Sequence, residues 1–307
     1  MRRPASSPLR GLILATAVLV SGLGAASPAD AQCNATQLCA PGADPCNVSA
    51  ACTVPAGATF DIRPRALVIK EGKALTIGQG TAPLTIRAGS ILFEKGGRIL
   101  ATGITGSMGS GGAVVLQATT TFTMQSMGST NSRIEATGEI SGGSIEIDAG
   151  GAVDINALIQ ANATSPNGFG GLVDVVSQTS TANFAGAGVQ ASGGDRGENG
   201  ASGGAIGVFA QGNITVAAPF DVAGGDCVCD ISLDSATGDV ITTAAGDFNL
   251  RGRGLIGDGG ATSVTAGGNV NMAGDVFAVA QGSGGEEGFG GGFGGDLDVF
   301  AIGSIVM

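Results

Sequence analysis

The stretch that decides the fold reads GGSIEIDAGGAVDI and spans residues 142–155. In it, a glycine pair is followed by aliphatic residues at every second position. The same arrangement returns in four other segments: GGAVVL at 111–116, GGLVDV at 170–175, GGAIGVFA at 203–210 and GGDLDVFA at 294–301. The spacing is about 30 residues, with the last gap close to three such spacings, and a repeat of this length is typical of a stacked, one-dimensional fold.

Within each repeat, alternation of apolar and polar residues indicates strands. Residues 144–148 and 152–156 alternate with period two, and 158–162 continue the pattern after one residue. Residues 208–216 and 264–272 repeat the plan. Three short strands separated by turns predict one coil of a parallel β-helix, with aliphatic side chains inward and polar ones outward. Helices are disfavoured because each interior glycine costs about 1 kcal/mol.

We therefore predict an all-β protein, a single-stranded parallel β-helix (a solenoid) of roughly eight coils at about 30 residues each. The solenoid is expected over residues 60–307, after a leader at 1–31 and a small cysteine-rich N-terminal cap at 32–59. The glycines between the aliphatic runs are expected to occupy turns that need positive φ. A narrow interior would suit the small inward residues Ala149, Ala161, Ala210 and Ala266.

The N-terminus has the three parts of a Sec-type secretory signal peptide. Arg2, Arg3 and Arg10 precede an apolar run at 11–23, and small residues lie at 29–31. A membrane anchor is the alternative, but the run is about 13 residues and a spanning helix needs about 20. We predict a mature chain with no transmembrane segment, secreted to the extracellular space or the outer cell surface.

The composition excludes several classes of function. The chain has 25 acidic and 14 basic residues and a net charge of −11, and removal of the arginine-bearing leader makes this charge more negative. Nucleic acid is therefore not an expected partner, because its phosphates need Lys and Arg. There is no His, Trp or Tyr. Their absence removes histidine-based triads, imidazole metal ligands and the usual stacking platforms for sugars, while carboxylate chemistry stays open.

Four cysteines, Cys33, Cys39, Cys46 and Cys52, lie in a short stretch after the leader. In an oxidising compartment they predict two disulfides. Three pairings are possible, and equal short loops around the turn at 41–45 favour Cys33–Cys39 with Cys46–Cys52. A zinc site is the alternative, although the spacing is not the paired Cys-x-x-Cys of structural zinc sites.

A second cysteine pair, Cys227 and Cys229, follows a glycine pair. A disulfide within the loop is the simplest interpretation, and a metal or redox site is the alternative. Asp226 and Asp230 flank the pair and would oppose a thiolate.

The form GGSIEIDAGGAVDI, together with AQGNITV at 210–216, resembles glycine-rich, secreted, right-handed parallel β-helix proteins. These include haemagglutinin-repeat regions and autotransporter passengers of bacterial exoproteins. The resemblance covers residues 65–307 and lies in the pattern rather than in one invariant motif. It implies export to the cell surface or medium, and often adhesion. The Asn-Pro-Asn-Gly motif of two-partner secretion is missing, and Ser165-Pro166-Asn167-Gly168 is interpreted as a turn between coils.

Cofactors are not expected, apart from a weak indication of calcium. Acidic, glycine-rich loops lie at 193–200 and 284–288, and clustered carboxylates suit calcium. The segment 291–298 approaches a calcium-binding nonapeptide but has Asp298 where an aliphatic residue belongs. Solvated loops are the favoured interpretation of these segments.

Two functions follow from these observations. The first is a non-enzymatic, secreted or cell-surface scaffold, adhesive in character, whose partner is a surface ligand or glycan. Self-association through an open edge at 305–307 is a further expectation, since this apolar end lacks a polar cap and the chain is expected to continue or to be covered. The alternative is a carbohydrate-active β-helix enzyme such as a polysaccharide lyase. Its candidate residues are Arg251 and Arg253, near Asp247 and Asp258.

Overall fold

The structure is a computed structural model, and it describes residues 33, 38–78, 80, 82–102, 109–127, 130–194, 201–225, 229–252, 258–279 and 294–307. Over these residues every secondary-structure element is a strand, numbered β1 to β28 along the chain. The strands form a nine-stranded sheet, a seventeen-stranded sheet and one two-stranded hairpin. The predicted all-β class with parallel strands is confirmed, and the arrangement is consistent with a solenoid or β-helix. Roughly eight coils, and a domain boundary after residue 59, stay predictions.

The nine-stranded sheet contains the repeats that the sequence displays. Each strand pairs in parallel with the next one in this order: β3 (Thr59–Asp61), β6 (Leu84–Ala88), β9 (Ala113–Ala118), β14 (Ser144–Ala149), β16 (Leu172–Ser177), β18 (Ala205–Ala210), β21 (Asp230–Ser235), β24 (Ala261–Ala266) and β27 (Asp296–Ala301). The residues that follow the predicted glycine pairs lie directly beside one another. The long gap before β27 holds β21 and β24, which confirms that it contains three repeats.

The seventeen-stranded sheet consists of two rows that share two long strands. Row A stacks β1 (Cys46–Val48), β4 (Leu67–Ile69), β7 (Ile91–Phe93), β10 (Phe122–Met124), the first half of β15 (Val153–Gln160), the first half of β17 (Ala182–Gln190), β19 (Ile214–Val216), β22 (Val240–Thr242), β25 (Val270–Met272) and β28 (Ile305–Val306).

Row B stacks β2 (Cys52–Val54), β5 (Ala74–Ile77), β8 (Arg98–Leu100), β13 (Arg133–Glu135), the second halves of β15 and β17, β20 (Phe220–Asp221), β23 (Phe248–Asn249) and β26 (Val276–Phe277). The separate strands predicted at 152–156 and 158–162 are therefore one strand, β15. The inward alternation continues through Ala157, which is fully buried, so the chain passes this corner without leaving the extended conformation.

The repeated glycine pairs are required by the close approach of backbones. A Cβ atom on Gly143 would overlap the carbonyl oxygen of Gly112, and one on Gly171 would overlap that of Gly143. The Gly143 N–H donates to the Ala136 carbonyl at 2.6 Å, which closes the coil between row B and the nine-stranded sheet. The expectation that turn glycines adopt positive φ is met at Gly72 and Gly96, between aliphatic strands, but the repeated pairs do not have positive φ. Within the described ranges, positive-φ glycines lie elsewhere, at Gly42, Gly57, Gly72, Gly80, Gly96, Gly109, Gly186 and Gly188.

Aliphatic and aromatic side chains fill the interior between the sheets. The predicted small inward residues are all buried: Ala149, Ala161, Ala210 and Ala266. The Phe220 ring meets the edge of Phe184 at a centroid distance of 5.1 Å and stacks on Phe248 at 5.7 Å. Such aromatic contacts add to the free energy gained by burial.

The cysteine-rich stretch is continuous with the sheets, since β1 and β2 begin rows A and B. Its disulfides join Cys33 to Cys52 and Cys39 to Cys46, so the favoured pairing Cys33–Cys39 with Cys46–Cys52 is wrong. The backbone explains the nested order. The Cys33 N–H donates to the carbonyl of Thr53 at 2.8 Å, which sets Cys33 beside β2.

Of the second cysteine pair, Cys229 lies within the described residues. Cys229 is disulfide-bonded and 2% exposed. Cys227 lies outside the described residues, as does Asp226.

Candidate ligand-binding groove

A groove of about 670 Å³ lies on the outer face of row A. It crosses β10, β15, β17 and β19, and its lining is mainly polar or small: Lys95, Thr123, Met124, Gln125, Ser126, Asp154, Ile155, Asn156, Asn183, Phe184, Ala185, Thr215 and Ala217. Ligand sites are typically concave clefts of about 300–1,000 Å³, so this groove is a candidate for ligand binding.

Strand register places one polar side chain of each rung in a first column along the groove. Thr123 lies beside Asp154, Asp154 beside Asn183, and Asn183 beside Thr215. These residues point outward because each alternates with buried neighbours along its strand. Neighbouring members of the column are about 4.8 Å apart, the spacing of paired strands.

A second column lies two residues further along each strand and therefore faces the same side. Asn156 pairs with Ala185 in the strand register, and the Ala217 N–H donates to the Phe184 carbonyl at 2.8 Å. Gln125 occupies the same place on the preceding rung. The column thus changes from long amide side chains to alanines, and the alanines leave a depression beside Asn156.

One wall of the groove begins where a hairpin is inserted in the chain. Strands β11 (Ser126–Met127) and β12 (Thr130–Asn131) pair antiparallel between β10 and β13, at the corner that β15 and β17 pass without a hairpin. The buried Ser132 hydroxyl contacts the carbonyl oxygens of Gln125 at 2.5 Å and Glu94 at 2.8 Å. This anchors the base of the hairpin, and insertions into repeat folds commonly form their binding face.

A β-bulge shapes the floor of the groove. The register between β15 and β17 shifts after Asn156, and Gly186 adopts a φ of +81°. A Cβ atom at Gly186 would lie 2.8 Å from Asn156 Oδ1, so glycine is needed to admit both the backbone and the Asn156 side chain. Bulges of this kind re-aim side chains and are frequent beside functional sites.

The groove carries a balanced set of polar groups. Asn183 Nδ2 donates to Asp154 Oδ1 at 2.7 Å, which orients both side chains. Lys95 supplies one positive charge and Asp154 one negative charge among the lining residues. Asp154 is the one carboxylate in that lining, so the described groove offers hydrogen bonding rather than a pair of carboxylates for acid–base chemistry.

A second depression of about 550 Å³ lies beside row B, between Glu135, Glu139 and the predicted turn at 165–168. The turn is confirmed by the Gly168 N–H donating to the Ser165 carbonyl at 3.0 Å. Apolar side chains exposed nearby are Ile140, Phe169 and Leu172.

The residues predicted for a lyase have structural contacts of their own. The Asp247 carboxylate accepts from the Asp275 N–H at 2.9 Å. The Arg251 guanidinium lies over the Phe277 ring at 4.5 Å. Asp258 also has an interaction partner, and Arg253 lies outside the described residues.

The calcium loops are mostly beyond the described part of the chain, which excludes 195–200, 284–288 and 291–293. Asp296 and Asp298 are exposed on β27. Among the residues that the structure does describe, no group of three or more His, Cys, Asp or Glu could hold a metal ion. The described part also contains no helix long and apolar enough to cross a membrane.

A polar ladder that was not predicted from the sequence lies just before the strands of row A. Asn213 Oδ1 accepts from the Asp239 N–H at 2.9 Å, Asp239 Oδ1 from the Asn269 N–H at 2.6 Å, and Asn269 Oδ1 from the Ser304 N–H at 2.9 Å. A glycine precedes each of Asp239, Asn269 and Ser304 in the chain. A Cβ atom on that glycine would collide with the ladder side chain of the previous rung. In the sequence, each ladder residue is an Asn, Asp or Ser that follows a glycine and precedes an aliphatic residue. This repeated pattern was the signal that predicts the ladder.

One carboxylate on the nine-stranded sheet is perturbed by its position. Burial raises the pKa of Asp174 above its usual range, and the neighbouring charge of Asp148 raises it further. A hydrogen bond from the Val175 backbone opposes these effects on the pKa. Gly207 occupies the adjacent outward position and leaves space over Asp174.

Comparison with known proteins does not assign this chain. No protein-family model, no curated protein and no solved structure matches it. The groove, the ladder and the fold therefore provide the evidence on function.

Proposed function

We propose that this protein is a non-enzymatic β-helical scaffold, secreted or carried on the outer cell surface, that binds an external ligand through the groove on row A. The observation that carries the proposal is the use of acidic and amide side chains within the stack. Asp239, Asn213 and Asn269 accept backbone hydrogen bonds from the next turn, and Asp154 is held by Asn183. These groups stabilise a rigid platform, which suits binding more than catalysis.

Two observations support a location outside the cytoplasm. Disulfides such as Cys33–Cys52 form and persist in oxidising compartments. The pattern of residues 1–31 predicts a Sec-type signal peptide. An adhesive role is proposed on the same basis, since a stacked sheet offers a long, rigid outer face.

The first experiment tests the alternative function, that of a polysaccharide lyase. The purified protein is incubated with pectin, xylan and alginate, and both new reducing ends and unsaturated products are measured. We expect no turnover by the wild-type protein. Sustained cleavage would overturn the scaffold proposal, and loss of that cleavage in Arg251→Gln would show that Arg251 belongs to the active site.

Export is tested separately. The full chain with a C-terminal epitope tag is expressed in a Gram-negative host, the cells are fractionated, and the tagged protein is sequenced from its N-terminus. We expect a product outside the cytoplasm that begins at Gln32. A cytoplasmic product that still carries Met1 would contradict the proposed localisation.

A further inference from the structure

We propose that the groove on row A binds an uncharged, linear oligosaccharide whose chain runs along the stack, across β10, β15, β17 and β19. This inference rests on the proposed binding function and names its ligand class. It is carried by the juxtaposition of the first polar column with the depression left by two alanines beside an anchored hairpin.

The spacing of the first column suits a repeating ligand. Thr123, Asp154, Asn183 and Thr215 repeat at the strand spacing of about 4.8 Å, which is comparable with the advance of a sugar chain per residue. A carboxylate accepts, a carboxamide both donates and accepts, and hydroxyls do either. Sugar hydroxyls need such a mixture, because each one is a donor and an acceptor at once.

The second column suits the ring faces of the same ligand. Ala185 and Ala217 present methyl groups to the groove, while Asn156 and Gln125 add amides on the neighbouring rungs. The ring of Phe184 is 1% exposed, so aromatic stacking does not contribute at this rung. Sugar rings would instead lie against the small apolar surface while their edges hydrogen-bond to the columns.

The charges favour a neutral ligand over an anionic one. Lys95 and Asp154 balance each other within the lining, and the chain as a whole has a net charge of −11. An anionic polysaccharide would meet this negative field without a matching cationic groove. A nucleic acid is disfavoured for the same reason.

The groove is also preorganised, which lowers the entropic cost of binding. The Asn183–Asp154 hydrogen bond holds two members of the first column, and Ser132 anchors the hairpin beside Gln125. Gly186 fixes the bulge next to Asn156. Little rearrangement is therefore required when a ligand enters.

The test uses the purified full-length chain and three defined probes: cellohexaose, mannohexaose and hexagalacturonic acid. Binding is measured by isothermal titration calorimetry and by NMR shifts of the side-chain amides. We expect at least one neutral hexamer to bind more tightly than hexagalacturonic acid. Asn183→Ala should weaken this binding about tenfold, since it removes a ligand contact and releases Asp154. Ala185→Trp should abolish it by filling the depression.

The matched control is Asn271→Ala. Asn271 is in the same outward column, two rungs beyond Thr215, and is not part of the groove. We expect the Asn271→Ala variant to bind the neutral hexamers with the affinity of the wild type. Circular dichroism melting of each variant separates a lost contact from a lost fold, and Asn183→Ala decides the matter if Ala185→Trp does not fold.

Three results would overturn the inference: neither neutral hexamer binds at millimolar concentration, hexagalacturonic acid binds more tightly, or Asn183→Ala and Asn271→Ala lose affinity equally. The failure of the proposed function has a different readout, because cleavage of a polysaccharide contradicts the scaffold even when the groove binds sugar. An exported protein without turnover and without sugar binding contradicts this inference alone.

Discussion

At the scale of the residue, the decisive feature is the space that a missing Cβ leaves. At Gly143 and Gly171 the backbones of successive coils come so close that any side chain would overlap a carbonyl oxygen. At Gly186 the need is different, because its positive φ and the nearby Asn156 side chain both exclude larger residues. The glycine content thus serves tight stacking at coil corners and, separately, the shape of the groove.

Gly143→Ala tests the stacking role. The new Cβ would collide with the Gly112 carbonyl, and the two coils would have to separate. We expect a loss of about 2 kcal/mol or more in the free energy of unfolding, as for other overpacking substitutions. Urea denaturation followed by circular dichroism measures it.

Gly294→Ala is the matched control, because Gly294 belongs to the same repeated motif but has no atom within 4 Å of an added Cβ. It should leave the urea midpoint nearly unchanged. Equal destabilisation by both substitutions would contradict the steric explanation.

Asp174→Asn tests the burial of a charge. Because the pKa of Asp174 is raised in the folded protein, ionisation at neutral pH opposes folding, and protonation relieves this as the pH falls through the folded-state pKa. We expect the substitution to raise the melting temperature at pH 7, with the gain shrinking in acid.

Asp234→Asn provides the comparison, since Asp234 is an exposed carboxylate on the same sheet. Its effect on the melting temperature should be smaller at pH 7. If Asp174→Asn lowers the melting temperature at every pH, ionisation of Asp174 does not oppose folding as its raised pKa predicts.

At the scale of the element, short strands are held in register by contacts at their ends. Strands of row A often have three residues, too few to be stable alone. The ladder of Asn213, Asp239 and Asn269 ties the backbone N–H of the residue just before a strand to the preceding rung. It therefore acts as a lateral clamp that specifies the strand register.

Asp239→Ala should loosen this clamp. Asp239 Oδ1 accepts from both the backbone N–H and Nδ2 of Asn269, and their loss should cost about 1 kcal/mol. Asp239→Asn keeps an acceptor oxygen at the same place and should cost clearly less. Thermal unfolding of the two variants checks the order, and a larger loss in Asp239→Asn would show that the charge matters rather than the acceptor.

At the scale of the whole molecule, each coil contributes a slice of one continuous core. The rings of Phe184, Phe220 and Phe248 connect neighbouring slices. In such a fold, each repeat contacts only its neighbours, so a local defect is expected to stay local.

Phe220→Ala should leave a cavity at the centre of this ring cluster, since Phe220 is fully buried. We expect a loss of about 3–5 kcal/mol. Hydrogen exchange should show increased opening around β17, β20 and β23, and much less around the Phe93–Phe122 contact, which lies several rungs away.

The control is Phe300→Ala, because Phe300 is 63% exposed on β27 and contributes little buried area. Its loss of stability should be small. Uniform loosening of the whole stack by Phe220→Ala would contradict local coupling between coils.

Residues 142–155 and their repeats by themselves determined the all-β class, the inward and outward faces and the pairing of successive repeats. They could do so because alternation and period are local properties of a chain. The disulfide pairing, the steric role of the glycine pairs, the continuity of β15 and the groove were decided only by tertiary structure. Each depends on which residues of different coils come to lie side by side: Cys33 beside β2, Gly143 against Gly112, and Asp154 between Thr123 and Asn183. Residues that are about one coil apart in the sequence become neighbours only when the chain has folded into coils and these coils have stacked.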